Sequence, residues 1–430
     1  MTKQIRPLLL LLLFLNLTIY AQASEKMFVN PSGNISVEQV IQIVRSQNLE
    51  VQAALKDVQS KSQLIKQAGV LPNPEIELES ENIFGSGDNT SFDNAETTAR
   101  LGTTLELGGK RRYRIQAAKI ERKLAHLSYL SVLSTQIKEA KQYSIEVLKQ
   151  QELLKLSQER LKTSQAFQQE ITKRVEKGRL NVVEQKRASI LVAQSKLALT
   201  KRNQELVNAK NKLSLILGYP EAQFNIVEGD LHPIDELPSL EKLQEKSEVS
   251  LGVLIKKTEV DLAKVEIDIE KSQGSQDLSI AGGIKHENSS NDKSFVISAG
   301  MPIAIFNRNT GAIEAAKLRL NTKELELQSV GQDLQSQLMT LSSQAKILKT
   351  EIESLNQTVI PESQHVFERI QEGYLKGKYS YIAVLEAQNA NFEFREHYLG
   401  ALADYHNVIA EIAQLTEQLQ KGEEHVSTNN

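Results

Sequence analysis

The chain has 430 residues, with no cysteine, no tryptophan and only 5% aromatic residues. It carries 51 basic and 54 acidic residues, for a formal net charge of −3. The lack of cysteine excludes disulfides and thiolate metal ligands. The slightly acidic balance argues against nucleic acid as a partner, and so few aromatic residues are unusual for the core of a globular enzyme of this length.

The first residues have the pattern of a secretory signal. Lys3 and Arg6 precede an apolar run over residues 8–15, and Ala21-Gln22-Ala23 offers small residues at a cleavage site. We therefore expect residues 1–23 to be removed and the mature chain to begin at Ser24. After that point no apolar run reaches the ~18 residues that a transmembrane helix needs.

Internal similarity predicts two copies of one unit. Ala117-Ala118-Lys119 recurs as Ala315-Ala316-Lys317, and Lys177-Gly178-Arg179 recurs as Lys376-Gly377-Lys378, at nearly the same spacing. Two matches at one offset indicate a duplicated structural unit. The predicted domains are a first repeat over 24–219, a linker over 220–238, a second repeat over 239–420 and a polar tail over 421–430.

Each repeat is predicted to contain a helix, two strands, a very long helix, a turn and a further helix. The long helices are predicted over 110–177 and 310–376, which at ~1.5 Å per residue makes each ~100 Å long. Pro361 predicts a kink in the second. The shorter helices are predicted over 36–69, 180–217, 239–273 and 379–419. Heptad spacing along the first long helix predicts a coiled-coil seam of Leu133, Ala140, Val147, Leu154, Leu161 and Val175.

Four segments with alternating apolar and polar residues predict the strands, over 74–83, 95–107, 277–287 and 294–305. Each is about ten residues long, the length that a tilted outer-membrane strand requires. Four strands cannot close a barrel, and open sheet edges are not tolerated in lipid. The predicted fold is therefore mainly α with a small β part. It has long antiparallel coiled-coil helices and four transmembrane strands per protomer, and a homotrimer forms a twelve-strand barrel on a twelve-helix tunnel.

Several stretches resemble the TolC-like outer-membrane factor family, and within it the heavy-metal efflux branch. They run from Ala68 to Glu75 before the first strand, from Glu106 to Arg111 after the second, and from Gly373 to Gln388 around the second turn. The resemblance implies a homotrimer in the outer membrane of a Gram-negative bacterium, reaching into the periplasm. The implied partners are a periplasmic adaptor (membrane fusion protein), an inner-membrane RND pump and outer-membrane lipid.

The implied function is passive export of heavy-metal cations, without catalysis, cofactor or resident metal. Two alternatives stay open: a general multidrug or type I secretion duct of the same family, and a periplasmic coiled-coil adaptor or scaffold without a pore. Glu393 and His397 could chelate a cation from one helix face, but no third ligand accompanies them.

The turns between the long and short helices are predicted to dock the adaptor, because they lie at the far ends of the rods. The residues concerned are Arg174, Gly178, Arg179, Arg369, Tyr374, Gly377 and Lys378. Glu386 and Glu184 are predicted to constrict the pore, since the family narrows its periplasmic mouth with acidic residues after the second turn. Ala383 stands where the family has a further acid. A third set of acidic residues is predicted to line the barrel lumen: Glu75, Glu77, Glu79 and Glu81.

Overall fold

The computed structural model describes residues 30–89, 91–234 and 236–416, so the predicted signal peptide and polar tail lie outside the described residues. Within these ranges the chain is mainly helical with a small sheet part, which confirms the predicted fold class. No helix in the described ranges has an apolar stretch long enough to cross a bilayer.

The elements of the first repeat follow the predicted order. They are β1 (Gly33–Ser36), α1 (Val37–Gln47), α2 (Leu49–Ala68), β2 (Glu75–Glu81), β3 (Glu96–Leu105), α3 (Lys110–Glu176) and α4 (Val182–Ile216). The second repeat contains β4 (Phe224–Glu228), α5 (Leu240–Ser247), α6 (Leu251–Gln273), β5 (Leu278–Glu287), β6 (Asp292–Gly300), α7 (Thr310–Ser354), α8 (Ile360–Leu375) and α9 (Tyr381–Thr416).

The long helix α3 is the axis of the protomer. Its 67 residues correspond to ~100 Å. It contacts α2 and α4, which lie end to end along it, and it also contacts α6 and α9 of the second repeat. Most of the described core lies midway along this rod, where α3, α4 and α9 pack with the small sheet of β1 and β4.

The predicted seam on α3 holds only for the first half of the helix. Leu133, Ala140 and Val147 are fully buried, but towards the turn the buried positions are Ser164, Phe167 and Ile171. At about 100° per residue, Ile171 lies on roughly the opposite side of the helix from Leu133. The buried face changes because the partners change: Leu133 packs with α1 and α2, whereas Ile171 packs with α4, α8 and α9 near the turn.

The prediction of one continuous helix over 36–69 was wrong, because Asn48 divides it into α1 and α2. The Asn48 side chain accepts hydrogen bonds from the amides of Glu50 and Val51, which caps α2. Its amide group donates to the Gln136 side chain and to the Ile216 carbonyl, both at 3.0 Å. Because the buried Asn48 side chain caps the start of α2 and also bonds to the end of α4, the sequence specifies a helix break at this residue. The helix predicted over 239–273 is also divided, between α5 and α6.

The linker predicted over 220–238 contains a strand. β4 pairs in parallel with β1, with Ile35 opposite Val227. Ile35, Phe224 and Val227 are buried in the midway core. The two short strands therefore tie the start of the described chain to the junction between the repeats.

A single π-helical turn over Leu355–Val359 interrupts the second long helix, directly before Pro361. There the amide of Ile360 donates to the carbonyl of Leu355, five residues earlier. Proline lacks the amide hydrogen and clashes with the preceding turn, and the extra residue in the turn relieves both problems. At the position of the predicted kink the helix thus contains a π turn, and α7 and α8 continue on either side of it.

The strands predicted to cross the membrane form a four-stranded antiparallel meander, β2-β3-β5-β6, called here the membrane-end sheet. Its register brings one apolar face together: Ile76, Leu78, Ala99, Leu101, Ile280, Ile284, Phe295 and Ile297. These residues are largely solvent-exposed, with Phe295 and Ile297 each 90% exposed. The last strand ends at Gly300 and not at the predicted residue 305, because Pro302 has no amide to continue the ladder.

Replacing Asn48 with alanine should destabilise the protein by about 2 kcal/mol. The change removes a helix cap, worth about 1 kcal/mol, and leaves a buried carbonyl without its donor, which costs about 1–3 kcal/mol. Guanidinium unfolding followed by circular dichroism measures the effect. The matched control is Asn208→Ala, because Asn208 is exposed and its side chain accepts only from Gln204. Equal stability of the two variants would contradict the capping role.

Candidate functional site

Both helical hairpins reverse by the same backbone motif. Gly178 and Gly377 have φ angles of 66° and 75°, in the left-handed region that side chains disfavour. Each glycine amide donates to the carbonyl three residues earlier at 2.9 Å, and the next amide donates to the carbonyl five residues earlier at 2.8 Å. This is the Schellman pattern of helix ends. The two turns, called here the hairpin tips (residues 174–181 and 373–380), are therefore structural equivalents.

The residues predicted to dock a partner divide into an exposed set and a buried set. Arg179, Arg369 and Lys378 are exposed, and Arg369 makes only a loose ion pair of 3.9 Å with Glu372. Arg174 is half-buried and donates to the Leu375 carbonyl at 2.6 Å, which joins the two tips. Arg174 therefore holds the hairpins together, whereas the other three cations are free to meet a partner.

Tyr374 is also buried, in an aromatic cluster that sequence reasoning missed. Its ring lies 5.7 Å from Phe167 and 6.2 Å from Tyr381, measured between ring centroids. Phe167 belongs to the first hairpin and the tyrosines to the second, so the cluster joins the hairpins just behind the tips. The signal was present as three aromatic residues close to the two tips, in a chain with few aromatics.

The Tyr374 hydroxyl donates to the Glu184 carboxylate at 3.3 Å, a further polar link between the hairpins near the tips. Burial, followed by the neighbouring Glu184 charge, raises the pKa of Tyr374 to about 12. The phenol therefore stays protonated and able to donate throughout the physiological pH range.

The two predicted constriction residues have different surroundings. Glu184 is held between the Tyr374 hydroxyl and the Arg187 guanidinium, the latter at 3.1 Å. Glu386 lies on the exposed face of α9 and makes no ion pair or hydrogen bond within the described residues. Of the two carboxylates, Glu386 is the one that has no partner among the described residues.

The polar face of the membrane-end sheet carries the four predicted lumen glutamates. Arg100 from β3 pairs with Glu77 and Glu79, and Lys285 from β5 contacts Glu81 and Glu96. Glu75 has no such partner among the described residues. With Glu96 and Glu287 on the same face, carboxylates outnumber the two cations, so the face remains acidic.

The described residues contain no group of three or more His, Asp or Glu side chains placed to hold a metal ion. His397, considered above with Glu393, instead contacts the Glu351 carboxylate of α7 at 2.7 Å. These surfaces comprise an acidic face on the sheet and exposed cations at and near the two tips.

The chain matches the model of the outer membrane efflux protein family over residues 40–219 and 259–417. It belongs to that family, and its place is the outer membrane. The family consists of transport proteins. Each of the two matched ranges covers the long helical hairpin of one repeat.

Among its relatives, the cobalt-zinc-cadmium resistance protein CzcC of Cupriavidus metallidurans is 28% identical over 384 residues, covering 89% of this chain and 90% of CzcC. The fold is similar to the solved structure of CusC, with a TM-score of 0.75, 17% identity, and coverage of 89% of this chain and 92% of CusC. It is also similar to the outer membrane protein VceC of Vibrio cholerae, with a TM-score of 0.71, 13% identity and coverage of 88% and 95%.

Replacing Tyr374 with phenylalanine should make the tips separate more readily. The change removes one hydrogen bond between the hairpins, worth about 0.5–1.5 kcal/mol, and keeps the ring in its cluster. We expect the ratio of open to closed time to rise about two- to tenfold in planar-bilayer recordings. Tyr379→Phe is the control, because Tyr379 is an exposed residue of the same tip. An unchanged ratio in the Tyr374 variant would show that this hydrogen bond does not hold the tips together.

Proposed function

We propose that three copies of this chain form the outer-membrane conduit of a tripartite efflux system that exports heavy-metal cations. The observation that carries the proposal is the direct continuation of a membrane-length sheet, open at both edges, into helices ~100 Å long. Such a protomer is incomplete alone, and closure by its own copies produces a tube.

The open sheet edges favour self-association. β2 and β6 each pair on one side only, while the adjoining apolar face is exposed as a lipid-facing surface would be. Unpaired backbone groups cost several kcal/mol each in hydrocarbon. Barrels of a single chain have at least eight strands. Three copies supply twelve strands, and β6 of one protomer pairs with β2 of the next.

Helices α4 and α7 each carry an unpaired apolar surface. On α4 the exposed apolar residues Val183, Ile190 and Leu197 recur every seven positions. On α7 Leu318, Leu325 and Met339 follow the same register. Apolar residues at heptad spacing are the seam of a coiled coil. The α4 seam lies near the tips, where Ser195 contacts Ser164 of α3, whereas the α7 seam begins beside the sheet, so each seam can pack against a different helix of a neighbouring copy.

The cargo assignment is supported by two observations. The relative CzcC is described as a cobalt-zinc-cadmium resistance protein, and the proposed lumen face of the sheet carries an excess of carboxylates. A wall of one charge sign concentrates counter-ions at the mouth and along the path. This favours cations over neutral or anionic drugs, so a multidrug duct is the weaker candidate. No pore-less scaffold role is proposed, because the family is one of efflux proteins.

The tips are proposed to dock a periplasmic adaptor, which joins the conduit to an inner-membrane RND pump. This docking proposal is supported by position and charge, because Arg179, Arg369 and Lys378 are exposed at the end of the rods farthest from the sheet. A partner surface with carboxylates or carbonyl groups would complement them.

Metal tolerance tests the cargo. Deleting the gene should lower tolerance to cobalt, zinc or cadmium, and a plasmid copy should restore it, while tolerance to a panel of dyes and antibiotics stays unchanged. Loss of drug tolerance alone would reassign the chain as a multidrug duct.

In the same assay Gly377→Asp should fail to restore tolerance although the protein assembles, because a side chain strains the left-handed turn at that tip.

Replacing Glu386 with alanine should weaken cation selectivity. The change removes three exposed carboxylates from the proposed ring, so the reversal potential under a KCl gradient should move towards zero in planar bilayers. Glu393→Ala serves as the comparison, because Glu393 is exposed on the same helix about two turns farther from the tip and should give a smaller shift. Identical selectivity in the Glu386 variant and the original protein would exclude Glu386 from the constriction.

A further inference from the structure

The junction between β3 and α3 carries an unusual concentration of positive charge. The helix begins with Lys110, Arg111, Arg112 and Arg114, has no acidic residue in its first turn, and has no side-chain cap at Gly109. Cations at a helix N-terminus are opposed by the helix dipole, which favours anions there. The sequence therefore places four positive charges where negative charge is expected.

Two of these cations are neutralised within the protomer. Lys110 pairs with Asp277 at 2.8 Å, and the Arg114 guanidinium donates to both oxygens of Glu106 at 2.7 and 3.1 Å. Arg114 also donates to the carbonyls of the chain between α2 and β2. These pairs fasten the sheet to the helices.

The other cations have no carboxylate partner among the described residues. Arg111 is exposed and uses only its Nε, which donates to the Gly69 carbonyl at 2.7 Å. Arg112 is exposed, with its guanidinium carbon 4.6 Å from the centre of the Tyr113 ring, which orients it. With Lys119 about two turns farther along the helix, they line an open depression of about 570 Å³ whose other lining residues are Ile115 and Gln116. We call this depression the junction pocket.

The junction pocket lies on the side of the protomer that the apolar sheet face also occupies. Arg114 reaches Glu106, which belongs to the polar face of the sheet by its alternation with Leu105. Residues two positions apart on a helix lie about 160° apart around its axis, so Arg112 and Gln116 point away from Arg114. Arg111, three positions from Arg114 and therefore about 60° away from it, lies at the near edge of the pocket. Leu105 and Leu107, which are 44% and 39% exposed, continue the apolar face towards the pocket. An apolar surface followed immediately by guanidinium groups that have no carboxylate partner among the described residues is the arrangement of a membrane–water interface.

The second repeat does not reproduce this pocket. At the spacing that aligns Lys119 with Lys317, the positions of Arg111, Arg112 and Arg114 are occupied by Asn309, Thr310 and Ala312. The second junction instead exposes apolar residues, among them Ile303 at 83% and Phe306 at 99%. The first junction thus carries a cluster of cations, whereas the second keeps only Arg308 at these positions and exposes apolar residues, although the sheet and the long helix around them are repeated.

We propose that Arg111, Arg112 and Lys119 bind the phosphate groups of anionic phospholipids in the periplasmic leaflet of the outer membrane. Charge complementarity and continuity with the lipid-facing sheet argue for a lipid as the occupant. Basic pockets beside membrane-spanning segments bind such headgroups, and guanidinium groups match phosphate geometry. The proposal depends only on the outer-membrane location and not on the cargo of the conduit.

Native mass spectrometry of the full mature protein tests the proposal, with 1-palmitoyl-2-oleoyl phosphatidylglycerol and the matching phosphatidylcholine as probes. Because each basic side chain near a membrane surface contributes about fivefold in affinity for anionic lipid, the protein should retain phosphatidylglycerol at least tenfold better than phosphatidylcholine. The triple variant Arg111→Gln, Arg112→Gln, Lys119→Gln should lose this preference while keeping the oligomeric mass seen in the same spectrum.

The matched control is a triple variant with the same charge change at exposed lysines far from the sheet, Lys155→Gln, Lys173→Gln and Lys201→Gln. It should retain phosphatidylglycerol like the original protein. Equal retention by both triple variants, or equal retention of the two lipids by the original protein, would overturn the proposal. Displacement of phosphatidylglycerol by millimolar sodium phosphate would also overturn it, because the pocket would then be a general anion site.

Discussion

Every backbone amide and carbonyl inside a bilayer needs a partner within the protein, and this constraint governs the whole molecule. The membrane-end sheet pairs its four strands through three antiparallel ladders and leaves β2 and β6 open at its edges. The protomer cannot remedy this internally, since its other strands, β1 and β4, lie midway along the rods and pair with each other. We therefore propose that copies of the same chain complete the sheet, and the exposed apolar seams on α4 and α7 offer further surface for contacts between copies.

Sequence periodicity predicted the large features well because each is repeated many times over. A 67-residue helix without glycine or proline, and strands that alternate over about ten residues, leave few other structures open. The predictions failed where a single polar side chain or a tertiary contact decides. Asn48 ends one helix and caps the next by bonds to residues far away in the sequence, and β4 forms only because β1 lies beside it. Neither contact leaves a periodic trace.

The candidate site shows the same division. The positions of the tips were predictable from the two glycines. Such a turn needs a residue with a left-handed backbone conformation, and both glycines have it. The roles of individual tip residues were not predictable. Arg174 and Tyr374 resemble exposed docking residues in sequence, yet both reach across to the other hairpin. Which of the cations faces solvent depends on how the two hairpins pack against each other, and no local sequence pattern reveals that packing.

The π turn at Leu355–Val359 gives the two hairpins different mechanical properties. A load applied at the first tip travels along α3 through an unbroken ladder of hydrogen bonds to the sheet. The same load at the second tip meets a segment whose ladder changes from α to π spacing before Pro361, and bending concentrates at such irregularities. We therefore expect the first hairpin to bend less readily than the second. In a ring of three protomers, stiffer and more flexible hairpins would alternate around the periplasmic end.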